Sequence, residues 1–118
     1  MADWMYDTNT NTLTSPNGTS WVARSGPFGN GALPSGTYTI GSTSAIDSGP
    51  GNASFRDPAG NAWWTPLTPN FATTRTSIGI HPDGGTPGTE GCIGVRGNNT
   101  TSARRALGGA AGQTLVVR

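Results

Sequence analysis

Apolar positions along this chain fall in short alternating runs set apart by turn-forming residues, the pattern of strands rather than of long helices. Trp4 and Tyr6 share one face of a first run. Pro16-Asn17-Gly18 supplies a tight turn into Trp21-Val22-Ala23, so the N-terminal third reads as a hairpin or meander. Leu33-Pro34-Ser35-Gly36 is a further turn, feeding a strand over Thr37-Tyr38-Thr39-Ile40. Residues 41–61 are rich in Gly, Ser, Asn and Pro and read as a long surface loop, followed by the run Trp63-Trp64-Thr65-Pro66-Leu67. In Ser77-Ile78-Gly79-Ile80-His81 the alternation turns Ile78 and Ile80 inward and sets His81 at a strand end. A Gly/Pro loop then leads to Gly91-Cys92, and Ile93 and Val95 resume a strand. Thr100 or Thr101 can cap a short helix that Gly108-Gly109 terminate, and Leu115-Val116-Val117 makes the last strand. The expected fold is mainly β, a compact and mostly antiparallel sandwich or open barrel with one short helix near residues 101–107.

Composition narrows the function. At 118 residues the chain reads as a single domain over 1–118 with one modest core. It has 19 Gly and 9 Pro, yet its four Trp and its recurring Ile and Val give it apolar surface to bury, which disordered chains lack. The net charge is +1, and the seven basic residues, all Arg, are scattered without forming a stripe that would grip nucleic acid. No apolar run approaches the ~20 residues that span a bilayer, which excludes membrane insertion, and Met1-Ala2-Asp3-Trp4 has neither the basic start nor the apolar stretch of a signal peptide. The expectation is synthesis in the cytoplasm. A substrate outside it would need delivery by lysis, a virion or a secretion machine. A single Cys excludes an internal disulfide.

That Cys carries the candidate chemistry. Cys92 lies eleven residues after His81, the sole His, across a Gly/Pro loop that can bring two strand ends together. An imidazole within hydrogen-bond reach can take the proton of a thiol and make it a nucleophile. Gly91 leaves room for a carbonyl to approach, and the backbone N–H groups of Gly91 and Cys92 can point at the oxyanion formed in acyl transfer. The competing reading of Cys92 is a small buried apolar side chain. Zinc is the sharpest chemical rival, with His81, Asp83, Glu90 and Cys92 as ligands. Catalytic zinc sites usually draw on more than one His, so no metal or other cofactor is expected. A glycosidase-type carboxylate pair is disfavoured because Glu90 is the only Glu and lies in an open loop.

Around these residues the sequence resembles the L,D-transpeptidase catalytic domain, the YkuD-like fold, in which Ile-His-Gly precedes a Ser/Thr-His-Gly-Cys-Ile-Arg motif. The counterparts here are Gly79-Ile80-His81-Pro82 and Thr89-Glu90-Gly91-Cys92-Ile93-Gly94. The order His before Cys agrees with that family. The small type VI secretion effectors of the superfamily, and phage proteins like them, look similar over most of the chain. The shared features are the Trp4-x-Tyr6 opening, the turn and strand from Leu33 to Ile40, Arg75 ahead of the His strand, and the short His-to-Cys spacing. The resemblance implies Cys92 as nucleophile and His81 as base. Glu90 and Gly94 stand where the family has His and Arg, so those substrate contacts do not carry over. Arg75 and Arg96 are candidates to bind a stem-peptide carboxylate, because a guanidinium fork matches its geometry. Thr89 and Glu90, within the motif, are further candidate substrate contacts, and Trp64 is a candidate wall of the substrate groove, with at least one of Trp63 and Trp64 expected in the core.

The function implied is acyl transfer through a Cys92 thioester on the stem peptides of bacterial peptidoglycan. Water as acceptor gives an L,D-carboxypeptidase and an amine gives an L,D-transpeptidase. A lytic or toxic role fits, as in a phage endolysin or a secreted effector acting in the periplasm and cell wall, with an immunity protein or a virion or secretion carrier as partner. The rival is a non-enzymatic wall-binding or virion structural module that keeps the fold, a reading that Glu90 and Gly94 favour.

Overall fold

The computed structural model describes residues 3–25, 33–46, 56–73, 78–82, 93–97 and 100–118. The N-terminal meander is present as β1 (Trp4–Asp7), β2 (Thr12–Thr14) and β3 (Ser20–Arg24), each antiparallel to the next. Its first turn is held by the Asp7 carboxylate, which accepts from the backbone N–H of Asn9 at 2.8 Å and of Thr10 at 3.3 Å. The second is the Pro16-Asn17-Gly18 turn, with Gly18 at φ 92°, a backbone state open to Gly without steric cost.

The remaining strands are β4 (Gly36–Ile40), β5 (Ser44–Ala45), β6 (Trp63–Pro69), β7 (Gly79–Pro82), β8 (Ile93–Val95) and β9 (Thr114–Val117). The sheet runs β4-β9-β1-β2-β3-β8-β7-β6-β5, and β4 also pairs with β6. That last pairing closes eight strands into a barrel, while β5 lies along β6 just beyond β4. The fold is thus mainly β, and its pairings are mostly antiparallel. Two seams are parallel, β1 with β9 and β7 with β8. Local turn chemistry cannot announce such seams, since parallel neighbours are joined by long connections.

Alternation along each strand fills the interior. Trp4, Tyr6, Leu13, Tyr38, Ile40, Trp63, Ile80, Ile93, Val95, Leu115 and Val117 are buried together, with Leu107 of the helix α1 (Thr101–Gly108) completing the core. Two aromatic pairs pack against it. Trp4 stacks on Trp21 at 5.9 Å, and Tyr38 meets Phe71 edge-on at 5.3 Å while donating to the Pro34 carbonyl at 2.8 Å.

The stretch 41–61 departs from a plain surface loop in the parts described. Ser44–Ala45 pairs with β6, Arg56 bridges to Ala62, and Asp57 is 3% exposed. The Asp57 carboxylate is buried because it has donors to meet it. Thr100 donates from its N–H at 2.6 Å and its hydroxyl at 2.8 Å, and Asn61 donates from its N–H at 2.9 Å and its amide at 3.1 Å. Burial pushes this carboxyl up, but the hydrogen bonds from Thr100 and Asn61 outweigh it and hold the group below the ordinary 3.8. Thr100 does precede the helix, yet its hydroxyl makes no cap bond. That oxygen instead accepts from the indole N–H of Trp63 at 2.8 Å while its hydrogen goes to Asp57. The negative charge favoured at a helix start comes from Asp57, since the first turn has no acidic residue of its own.

Replacing Asp57 by Ala leaves the Thr100 donors buried without an acceptor, so Asp57→Ala is expected to lower unfolding free energy by about 3 kcal/mol. Urea denaturation of the two proteins measures the difference; a loss under ~0.5 kcal/mol would show that the network is not holding the helix start.

Candidate functional site

The site is built on the outward face of β6, β7 and β8. Strand alternation sends Ile80 inward and therefore turns His81 to the other face. Thr65 of β6 pairs with Ile80, which brings Trp64 beside His81, and the two rings stack at 5.8 Å with an interplanar angle of 10°. On the other side the parallel β8 sets Ile93 opposite Ile80 and Gly94 opposite His81. Gly79 lies under the Trp64 indole so closely that a Cβ there would come within 2.5 Å of Cζ2. Glycine at 79 is what allows Trp64 to reach the imidazole.

His81 is 4% exposed. Burial penalises the imidazolium and lowers the pKa from 6.5 to about 4, against the upward pull of the Pro82 carbonyl. The ring is neutral at pH 7. Its Nδ1 lies 2.7 Å from the Pro82 carbonyl oxygen, which can only accept, so Nδ1 carries the hydrogen and Nε2 carries the lone pair. The tautomer is therefore fixed by the strand's own backbone, and Nε2 is the basic atom.

Of the residues singled out in the sequence, His81 and Trp64 are brought together. Arg96 follows β8, half-buried, with its N–H donating to the Val22 carbonyl at 2.8 Å on the same outward side of the barrel. Arg75, Thr89, Glu90, Gly91 and Cys92 lie outside the described residues. Trp63 is fully buried, which meets the expectation that at least one of the two lies in the core, and Trp64 is on the outward face with His81. Sequence reading had no signal for Asp57, a lone acid in a polar loop. Among the described residues no three His, Cys, Asp or Glu side chains converge in a way that could hold a metal ion.

No protein-family model matches the chain, and no curated protein matches it in sequence. A solved structure does match in fold, the L,D-transpeptidase from Mycobacterium smegmatis, with a TM-score of 0.56 and 19% identity over 98% of this chain. The alignment takes in 57% of that longer chain, so this chain spans a little over half its length. The architecture is that of an L,D-transpeptidase-like barrel, and at this identity the likeness is one of fold.

Two outcomes follow from the geometry. Between pH 6.5 and about 4 the unfolded chain takes up a proton that folded His81 refuses, so stability contributed by the neutral ring is complete above pH 6.5 and is lost as pH falls toward 4. The loss is on the order of 3 kcal/mol, and denaturation midpoints across this window should lose most of their slope in His81→Leu. In Gly79→Ala the new methyl must displace Trp64, which should cost about 1–3 kcal/mol and shift the ring-proton NMR signals of the sole histidine as the stack opens. Unchanged imidazole signals would show that Trp64 has room to spare.

Proposed function

We propose that this chain is a cysteine-dependent acyltransferase acting on the stem peptides of bacterial peptidoglycan, with Cys92 as nucleophile and His81 as base. One observation carries the reading: the strand that follows Cys92 runs parallel to the His81 strand, with Ile93 opposite Ile80 and Gly94 opposite His81. On this reading the alternation of β8 continues back by one residue, which puts the thiol on the face that His81 occupies. The fold shared with an L,D-transpeptidase and the fixed tautomer of His81 support it.

Because burial makes His81 a weak base, the imidazole is neutral at rest. Nε2 takes the proton from Sγ as sulfur bonds to the carbonyl carbon of a diaminopimelate to D-Ala linkage, and the carbonyl oxygen becomes an oxyanion. The N–H groups of Gly91 and Cys92 are its candidate donors. Collapse breaks the carbon–nitrogen bond, the proton on Nε2 passes to the departing D-Ala amine, and a thioester remains. Water or an amine then attacks it, giving its proton to Nε2, and the thiol is regenerated. Arg75, Arg96, Thr89 and Glu90 stand as candidate substrate contacts and Trp64 as a wall that also holds the imidazole. The whole chain acts as one catalytic unit in the cell wall, reached through lysis or a virion or secretion carrier, in a lytic or toxic role.

Muropeptides incubated with the wild type should show stems shortened by D-Ala, or direct cross-links between diaminopimelate residues, by mass spectrometry. Cys92→Ala should abolish these products, and His81→Ala should slow them by about 10²–10⁴-fold. Iodoacetamide should label Cys92 more slowly in His81→Ala than in wild type at pH 7, with the melting transition of each variant checked. Binding to the wall with no change in muropeptides would instead favour the non-enzymatic module, and products that persist in Cys92→Ala would end the thiol mechanism.

A further inference from the structure

The place of Trp64 against His81 is held from the inner side of β6. Its two neighbours in the strand, Trp63 and Thr65, are fully buried, and each carries a polar atom that must find a partner there. The Trp63 indole N–H donates to the Thr100 hydroxyl at 2.8 Å, and the Thr65 and Thr43 hydroxyls share a hydrogen bond at 2.6 Å. Thr100 is in turn fixed by the Asp57 carboxylate, which accepts from its N–H and its hydroxyl. Asp57 belongs to the turn that leads into β6: Arg56 bridges to Ala62, and the Asp57 N–H donates to the Asn61 carbonyl at 2.9 Å. Residues 63–65 therefore cannot twist or slide without breaking a buried hydrogen bond. What this clamp fixes is the plane of the imidazole. The Pro82 carbonyl decides which nitrogen carries the hydrogen, whereas the indole of Trp64, inclined by only 10°, lies flat along the ring. Gly79 packs against the same indole so closely that a Cβ would not fit. At interior packing density a shift of β6 is passed on to Trp64 and from there to His81.

Within the acyl-transfer reading given above, on which its functional part rests, we propose that Thr100, held by Asp57, and Thr43 position the His81 base through Trp63, Thr65 and the Trp64 stack. They are positioning residues rather than catalytic ones, since each meets an inward side chain of β6. A base that must reach a thiol along a hydrogen bond loses rate when its ring turns by a small angle, so the anchors act on the speed of proton transfer.

The test reads the imidazole itself, in the full chain. The carbon-bound ring protons of the sole histidine give NMR signals displaced by the ring current of Trp64. Thr100→Val keeps the shape of the side chain but leaves the Trp63 indole N–H buried without an acceptor. It should move these signals and slow alkylation of Cys92 by iodoacetamide about tenfold at pH 7. Thr43→Val, at a half-buried position, should move them in a smaller degree through Thr65, and it alone decides should Thr100→Val fail to fold. Thr100→Ser retains the hydroxyl and should bring both readouts back to those of the wild type. Val117→Ala truncates a buried side chain of β9, which pairs with β1 and β4, so it lowers stability away from the clamp and should leave the signals in place. Imidazole signals unmoved in both valine variants would overturn the assignment, and so would an equal displacement in Val117→Ala. Failure of the underlying reading is distinct: displaced signals with Cys92 alkylated at the wild-type rate would keep the positioning and end the role of His81 as base.

Discussion

Much of the architecture hangs on one buried carboxylate. Asp57 receives four hydrogen bonds from Thr100 and Asn61, and through the Thr100 hydroxyl it is joined to the indole of Trp63. Three separate pieces of chain are thereby tied at one point: the approach to β6, the first residues of β6, and the start of the helix. A charge in this position is tolerable only because every partner is present, and the network is correspondingly intolerant of partial loss. Trp63 is fixed on the inside of β6, and its neighbour Trp64 is consequently presented on the outside, against His81.

The imidazole shows what burial does to an ionisable ring, and at what thermodynamic cost. Exclusion of water depresses its pKa to about 4, so at neutral pH the ring is in its basic form, with the hydrogen committed to the Pro82 carbonyl through Nδ1.

Glycine defines the shape of the site more than any large residue does. Gly79 lets the Trp64 ring close over the strand, and Gly94 lies between His81 and Arg24 in the sheet.

The sequence by itself determined the local features: the meander, the turn at Pro16-Asn17-Gly18, the short helix, and His81 at the end of a strand whose Ile78 and Ile80 point inward. Periodicity and turn chemistry act over a few residues, so they can be read without knowing what lies opposite. Tertiary structure alone decided the closure of the barrel by β4 on β6, the parallel seams, the burial of Asp57 in a stretch whose composition is that of a loop, and the stacking of Trp64 rather than Trp63 on His81. It also placed Arg24 and His81 on either side of Gly94 in the sheet, although 57 positions separate the two in the chain. Each of these depends on register between segments far apart in sequence, and register is set by how whole faces pack rather than by any residue's own preference.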